Sequence, residues 1–213
     1  MKTRVEMLQI ILGPPHGPPT FAAQSYRNGF RTVIGVESNT KLVLAYHIGG
    51  RDENSCKQFL KNLNYATSGR FQLTTDGLAA YTNNVPFTFR NRVDFAQLVK
   101  VYKSTQEQKR YSPARLESAI KKVVFGSPDL GQVNTSFVER LNLTLRMQSR
   151  RHTRLTNGFS KDLAHHEAMQ HLFFAHYNFC RKHETLKGDT PAMVSELTNS
   201  VWPIEKLLQE AAK

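Results

Sequence analysis

The sequence has no apolar run approaching the roughly 18 to 20 residues that a membrane-spanning helix needs. The short apolar stretch near the amino terminus, LQIILG, is brief for a secretion signal and is not followed by a small-residue cleavage site. Cys56 and Cys180 are too few for a disulfide scaffold and are typical of a reducing compartment. We therefore expect a cytoplasmic protein, nucleoid-associated if it binds DNA, with no membrane segment.

Acidic residues are scarce relative to basic ones. The 213 residues include 17 Asp and Glu against 29 Lys and Arg, which gives a formal net charge of +12. Such a surplus attracts polyanions, of which nucleic acid is the commonest, although it is also compatible with a basic surface that only aids solubility. Arginine is concentrated in RLNLTLRMQSRRHTR at 140–154, a segment without acidic residues. The planar guanidinium group suits phosphate contacts, so this cluster favours nucleic-acid binding.

The chain divides by composition into a short proline-rich part and a longer regular part. Four prolines in GPPHGPP predict that residues 1–30 are extended or poorly ordered, with one short helix over residues 3–12. From Arg31 onward, RTVIGVE and KLVLAYHIG predict an antiparallel hairpin. A helix capped by Asp52 and the short strand RFQLTTDG follow.

Helices dominate the second half of the chain. SPARLESAIKKVV begins with a good helix-capping pair, and 134–151 and 160–182 have the period of amphipathic helices. Shorter helices are predicted after Thr190 and at the carboxyl terminus. Because strands come early and helices late, the pattern predicts an α/β fold with a mixed sheet flanked by helices.

Two carboxylates stand at positions that suit chemistry. Asp76 ends a predicted strand, where open α/β sheets place their sites, although Asp-Gly is also a common turn pair. Glu139 lies in the first turns of a predicted helix, with Asn142 and Arg146 on the same side. Its alternative interpretation is a solvated Glu–Arg face. Brought together, two hard oxygen donors would hold Mg²⁺ or Mn²⁺ and support phosphodiester chemistry.

Several segments together resemble the DDE transposases of bacterial insertion sequences, in the insertion-sequence-one-like branch. These segments are KLVLAYHIGGRD, QLTTDGLAAY, YSPARLESA, TSFVERLNLTLRMQSRRHTRLTNGFSKDLAHH and YNFCRKHETLKGDTPAM. The resemblance implies a ribonuclease H-like catalytic core, the fold shared with retroviral integrases. It covers about residues 31–205, and leaves residues 206–213 as a helical tail.

The resemblance implies DNA cleavage and strand transfer at insertion-sequence ends, with a divalent metal ion held by three acids. Asp76 matches the second acid of the family and Glu139 the third. Double-stranded DNA is the expected partner, and a homo-oligomer is possible. The residues that we expect to contact DNA are Arg140, Asn142, Arg146, Arg150, Arg151 and Arg154.

The first acid of the family lies on the opening strand, in a motif of the type C-D-E-x-W-S-F. No such motif occurs in residues 1–30, so we expect that the first strand is missing and that the chain is a truncated member. Catalysis would then be impaired. The alternative is a noncatalytic DNA-binding remnant of a transposase. We interpret Glu37 as a residue of a strand-end turn.

One further motif has two open interpretations. The run YNFCRKHETL resembles a family motif in which Tyr177, Asn178, Arg181 and His183 brace the core and contact phosphate. A simple capping network at the end of a long helix is the other interpretation.

Overall fold

The computed structural model describes residues 3–11, 31–50, 52–103, 115–152, 160 and 162–212. The strands are β1 (Thr3–Ile11), β2 (Arg31–Glu37), β3 (Val43–Gly49), β4 (Phe71–Asp76), β5 (Val93–Lys103) and β6 (Arg115–Phe125). The helices are α1 (Glu53–Tyr65), α2 (Ala79–Phe89), α3 (Ser136–Gln148), α4 (Leu163–Phe179), α5 (Pro191–Val194) and α6 (Ile204–Ala211). None of the helices in these ranges is both long and apolar enough to cross a membrane.

The six strands form one mixed sheet in the order β3-β2-β1-β4-β5-β6. β1, β2 and β3 are antiparallel neighbours, β4 runs parallel to both β1 and β5, and β6 is antiparallel to β5. The predicted fold class is confirmed: a mixed sheet flanked by helices, consistent with a ribonuclease H-like fold.

The expectation that the first strand is missing was wrong. Residues Thr3–Ile11 form β1, which lies in the middle of the sheet, and the predicted short helix over 3–12 does not form there. Val5 pairs with Glu37 on one side and with Leu73 on the other, and its side chain is buried. The backbone of β1 therefore pairs with β2 and β4, each of which would otherwise present an unpaired sheet edge.

The predicted domain boundary at residue 31 separates β1 from β2, its neighbour in the sheet. A boundary at residue 31 would place a central strand outside the core that it completes. The proline-rich GPPHGPP segment lies outside the described residues. At the other end, α6 begins at Ile204, before the predicted tail, and buries Leu207.

Hydrophobic layers lie on both faces of the sheet. On one face α1 and α2 pack on the strands through Phe59, Leu60, Leu63, Tyr81, Val85, Phe71, Leu73 and Phe95. On the other face α3 and α4 pack through Val138, Leu141, Leu145, Phe174, Ile34 and Val36. Side chains alternate along a strand, and Phe71 and Leu73 of β4 face α1 and α2. The other alternate positions of β4 therefore face α3. Asp76 is one of these positions.

Local capping fixes where the helices begin. The Asp52 carboxylate accepts a hydrogen bond from the Ser55 backbone N–H at 2.7 Å, which confirms the predicted cap of α1. α4 begins at Leu163, three residues later than predicted, because Asp162 caps it through the His165 N–H at 2.9 Å.

Candidate active site

Asp76 is the last residue of β4, and its Cα pairs with Leu98 of β5. Its Oδ1 accepts a hydrogen bond from the Leu78 backbone N–H at 3.2 Å, and its backbone carbonyl accepts one from Gln97 Nε2 at 3.1 Å. The side chain is half-buried. Asp76 therefore fits both interpretations of its sequence context, since it ends a strand and also orders the turn that follows.

Glu139 lies in the first turn of α3 and is held by two partners. Its Oε1 accepts a hydrogen bond from the Thr135 hydroxyl at 2.6 Å and forms an ion pair with Lys100 Nζ. Thr135 is buried and lies at the start of α3, so the helix and its capping residue together orient the carboxylate. Lys100 comes from β5, and no local sequence pattern indicates this contact.

The ion pair places Glu139 on the same face of the sheet as Asp76. Lys100 follows Leu98, the partner of Asp76, by two positions along β5, so all three residues share a face. The spacing of strands and residues in a sheet puts the Cα atoms of Asp76 and Lys100 about 8 Å apart. The structure thus brings a strand-end aspartate, a helical glutamate and a lysine to one region of the sheet.

Carboxylate oxygens are the ligands that a hard cation prefers. Magnesium in proteins is commonly held by one or two carboxylates, with water and substrate phosphate completing the shell. Asp76 and Glu139 provide two such carboxylates. Within the described ranges, no group of three or more His, Cys, Asp and Glu side chains is arranged to hold a metal ion.

A further acid lies on the neighbouring strand. The backbone of Glu6 in β1 pairs with Thr74 of β4, which precedes Asp76 by two residues, and with Val36 of β2 on the other side. Sequence reasoning missed Glu6 because it sought the family's Asp-containing motif. A single acid inside a short apolar run before the hairpin was the signal that would have found it.

The structure divides the predicted DNA-contacting residues into two groups. Arg140 and Arg150 are exposed. Asn142 is only 6% exposed, Arg146 is half-buried, and Arg151 donates a hydrogen bond from Nη1 to the Ser160 hydroxyl at 3.1 Å. Arg154 lies outside the described residues. Arg140 and Arg150 are therefore the members of the cluster that solvent-borne phosphate reaches most readily.

Arg151 belongs to a buried polar network beneath α4. The Ser160 hydroxyl bonds to His166 Nδ1 at 2.7 Å, and Gln170 Nε2 lies 3.0 Å from His152 Nε2. Burial lowers the pKa of His152 to about 3 and that of His166 to about 4, with nearby positive charge adding to the effect. Both histidines are therefore neutral near pH 7.

Two smaller predictions are confirmed. The Glu37 carboxylate accepts hydrogen bonds from the backbone N–H groups of Asn39 and Thr40 at 3.0 and 2.6 Å, so it orders the strand-end turn. Asn178 braces the core, since its side-chain amide bonds to both the N–H and the carbonyl of Val43 at 3.0 Å each.

Comparisons with known proteins give matches among solved structures alone. No protein-family model and no curated protein matches the sequence. Among solved structures, the chain is similar to one from the cryo-EM structure of a piggyBac transposase synaptic complex with hairpin DNA, with a TM-score of 0.44 and 11% sequence identity. The match covers 97% of this chain and 51% of the other, so the chain spans about half the length of that transposase chain.

Proposed function

We propose that this protein is a DDE-type transposase that cleaves DNA at insertion-sequence ends and transfers the cut strand, with a divalent metal ion as cofactor. The observation that carries the proposal is the placement of Asp76 and Glu139 on one face of the sheet, with Lys100 linking that region to α3. The sequence motifs around both acids add independent support. Double-stranded DNA is the proposed partner.

In this proposal each residue of the site has a separate task. Asp76 and Glu139 hold Mg²⁺ or Mn²⁺, which when bound activates a water or a 3′-hydroxyl and stabilises the leaving oxygen. Thr135 fixes the position of the Glu139 carboxylate through its hydroxyl. Lys100 neutralises Glu139 in the metal-free protein and offers a positive charge to the scissile phosphate. Arg150 contacts the backbone phosphates of duplex DNA.

We assign the first acid of the site to Glu6. Its backbone lies in register with Thr74, next to the strand that carries Asp76. The expected impairment rested on the loss of the first catalytic Asp together with its strand, and the strand is present as β1. A glutamate in place of the family's aspartate is a longer carboxylate with the same oxygen chemistry.

The test is a metal-dependent cleavage and strand-transfer assay on duplex DNA that carries the terminal repeats of the element. With Mg²⁺ or Mn²⁺ we expect activity, and Asp76→Asn or Glu139→Gln should reduce it by about 100-fold or more, because each removes a charged ligand. Glu6→Gln should have a similar effect. Removal of the metal by EDTA should abolish activity.

The matched control is Glu205→Gln, which makes the same chemical change at an exposed position of α6. It should cleave as the wild type does. Full activity of the Asp76→Asn variant would contradict the proposed mechanism. Full activity of Glu6→Gln would contradict only the assignment of the first acid.

A noncatalytic DNA-binding protein is the second candidate. The observation that favours it is the ion pair between Glu139 and Lys100, which occupies one of the proposed ligands. In that case the wild type would bind duplex DNA without cleaving it at any metal concentration. Asp76→Asn would then leave DNA affinity unchanged.

A further inference from the structure

A groove with several basic side chains lies between α3, the β2–β3 turn and the segment after α4. Its volume is about 690 Å³. Its charged lining residues are Lys41, Arg140, Arg181, Lys182 and Glu184. With four cations against one anion, the groove attracts a polyanion. We call it the basic groove.

The basic groove is separate from the two acids. The residues of α3 that line it lie around the helix from Glu139, with Arg140 about 100° and Met147 about 80° away and Leu143 about 40° away at the edge nearer the acid. Glu139 itself points toward Lys100 of β5. Neither Glu139 nor Asp76 is among the residues that line the groove.

Two buried polar atoms belong to residues that line the groove. Arg181 Nη1 and His183 Nε2 are both buried, and among the described residues neither has a hydrogen-bond partner. A buried donor without an acceptor costs free energy that a bound ligand would recover. The guanidinium group of Arg181 is a strong phosphate ligand, so an anionic oxygen fits this position.

Apolar side chains are interleaved with the cations. Leu143 is 47% exposed and Met147 is 78% exposed, and both line the groove. Phe137 forms part of the same wall, with Lys41 Nζ 3.1 Å from its ring centroid. Duplex DNA presents mainly phosphates to such a surface. Unpaired nucleotides present phosphates together with base faces, which match cations and apolar side chains side by side.

We propose that the basic groove binds single-stranded nucleic acid. Arg140 and Arg181 contact the backbone phosphates, while the bases pack on Leu143 and Met147. The inference rests on the proposed function in taking nucleic acid as the ligand, and it extends that function by assigning a second site for an unpaired strand.

The test measures fluorescence anisotropy of a labelled 20-nucleotide thymidine strand and of a duplex of equal length, in EDTA. The wild type should bind the single strand, and Arg140→Gln together with Arg181→Gln should weaken that binding by about tenfold and lower its salt dependence. Arg140 is exposed, so the single variant Arg140→Gln tests the groove if the double variant folds poorly. Lys61→Gln on exposed α1 surface is the matched charge control and should bind normally.

A second pair of substitutions tests the base contacts. Leu143→Ser with Met147→Ser should weaken single-strand binding several-fold, because the apolar wall is lost, and should leave duplex binding unchanged. Unaltered single-strand affinity in the arginine variants would overturn the proposal. An equal loss for single strand and duplex in both sets of variants would overturn it as well.

These experiments test the proposal for the groove separately from the proposal for the two acids. Asp76→Asn should bind the single strand with wild-type affinity, because Asp76 is not among the residues that line the groove. A wild type that binds the strand through the groove but never cleaves DNA would refute the nuclease and leave the groove intact. A wild type that cleaves DNA while the groove variants bind normally would refute the groove alone.

Discussion

Lys100 is the residue whose contact most affects the candidate site, because its ammonium group sits on a proposed metal ligand. A divalent ion and Lys100 then compete for the Glu139 carboxylate. We predict that Lys100→Gln binds Mn²⁺ several-fold more tightly than the wild type in the absence of DNA, since hard-cation affinity rises with the net negative charge of the site. Titration of the Mn²⁺ EPR signal measures this affinity.

The control for this experiment is Lys57→Gln, which removes an exposed lysine from α1. It should bind Mn²⁺ as the wild type does. Equal or weaker binding by the Lys100→Gln variant would show that the lysine does not compete for the carboxylate.

The two buried histidines predict how stability depends on pH. Their pKa values of about 3 and about 4 in the folded protein lie below the ordinary value of 6.5, so the unfolded chain binds more protons between pH 6.5 and about 4. The free energy of unfolding should therefore fall as the pH decreases through that window. Urea denaturation at pH 7.5 and pH 5 measures the change.

Removing one buried histidine should flatten the pH profile of stability. We expect a smaller loss between pH 7.5 and pH 5 in His166→Asn than in the wild type, even if this variant is less stable overall. His176→Asn changes an exposed histidine and should keep the wild-type slope. If the free energy of unfolding falls equally with pH in the wild type and in His166→Asn, the pH dependence of stability does not come from His166.

Among the elements, the hairpin, α1, β4, α3 and α4 were predictable from periodicity and capping residues. The positions of Asp76 and Glu139 followed from them, because a strand end and a helix start are local features. The contact of Lys100 with Glu139 and the backbone register of Glu6 with β4 did not follow, since both depend on which strands become neighbours in the sheet. Strand pairing depends on the whole fold, and a short stretch of sequence carries little information about it.

β6 shows the same limit in a different way. The segment that begins SPARLESAIKKVV was expected to be a helix, and its Ala, Leu, Glu and Lys are good helix formers. The structure instead has Arg115–Phe125 as a strand paired along β5, with bulges that adjust its register. Pairing with an available sheet edge outweighs the weak helical preference here.

The connection between α4 and β3 provides a prediction at this scale. Asn178 bonds to both backbone groups of Val43, so Asn178→Ala leaves two backbone groups of β3 without partners. We expect a loss of about 1–3 kcal/mol in the free energy of unfolding, measured by urea denaturation. Asn199→Ala, at an exposed position, should change stability by less than about 0.5 kcal/mol. A loss no larger than that of the control would show that the contact is dispensable.

At the scale of the whole molecule, the sheet depends on a strand from the extreme amino-terminal part of the chain. Deletion of residues 1–11 would split the sheet between β2 and β4 and expose an edge on each side. We predict that the shortened chain loses cooperative thermal unfolding, as measured by circular dichroism. Val5→Asp should lower stability strongly for the same reason, because it buries a charge in the central strand. Cooperative unfolding of the shortened chain near the wild-type temperature would contradict this role of β1.

The central place of β1 also constrains the order of assembly during synthesis. This strand leaves the ribosome before its parallel partner Phe71–Asp76, which emerges only after the hairpin and α1. Parallel pairing across such a sequence separation closes a long loop and is slow compared with local contacts. Until β4 has been synthesised, one edge of β1 therefore has no partner strand. During that interval the nascent chain is most open to aggregation or to capture by chaperones.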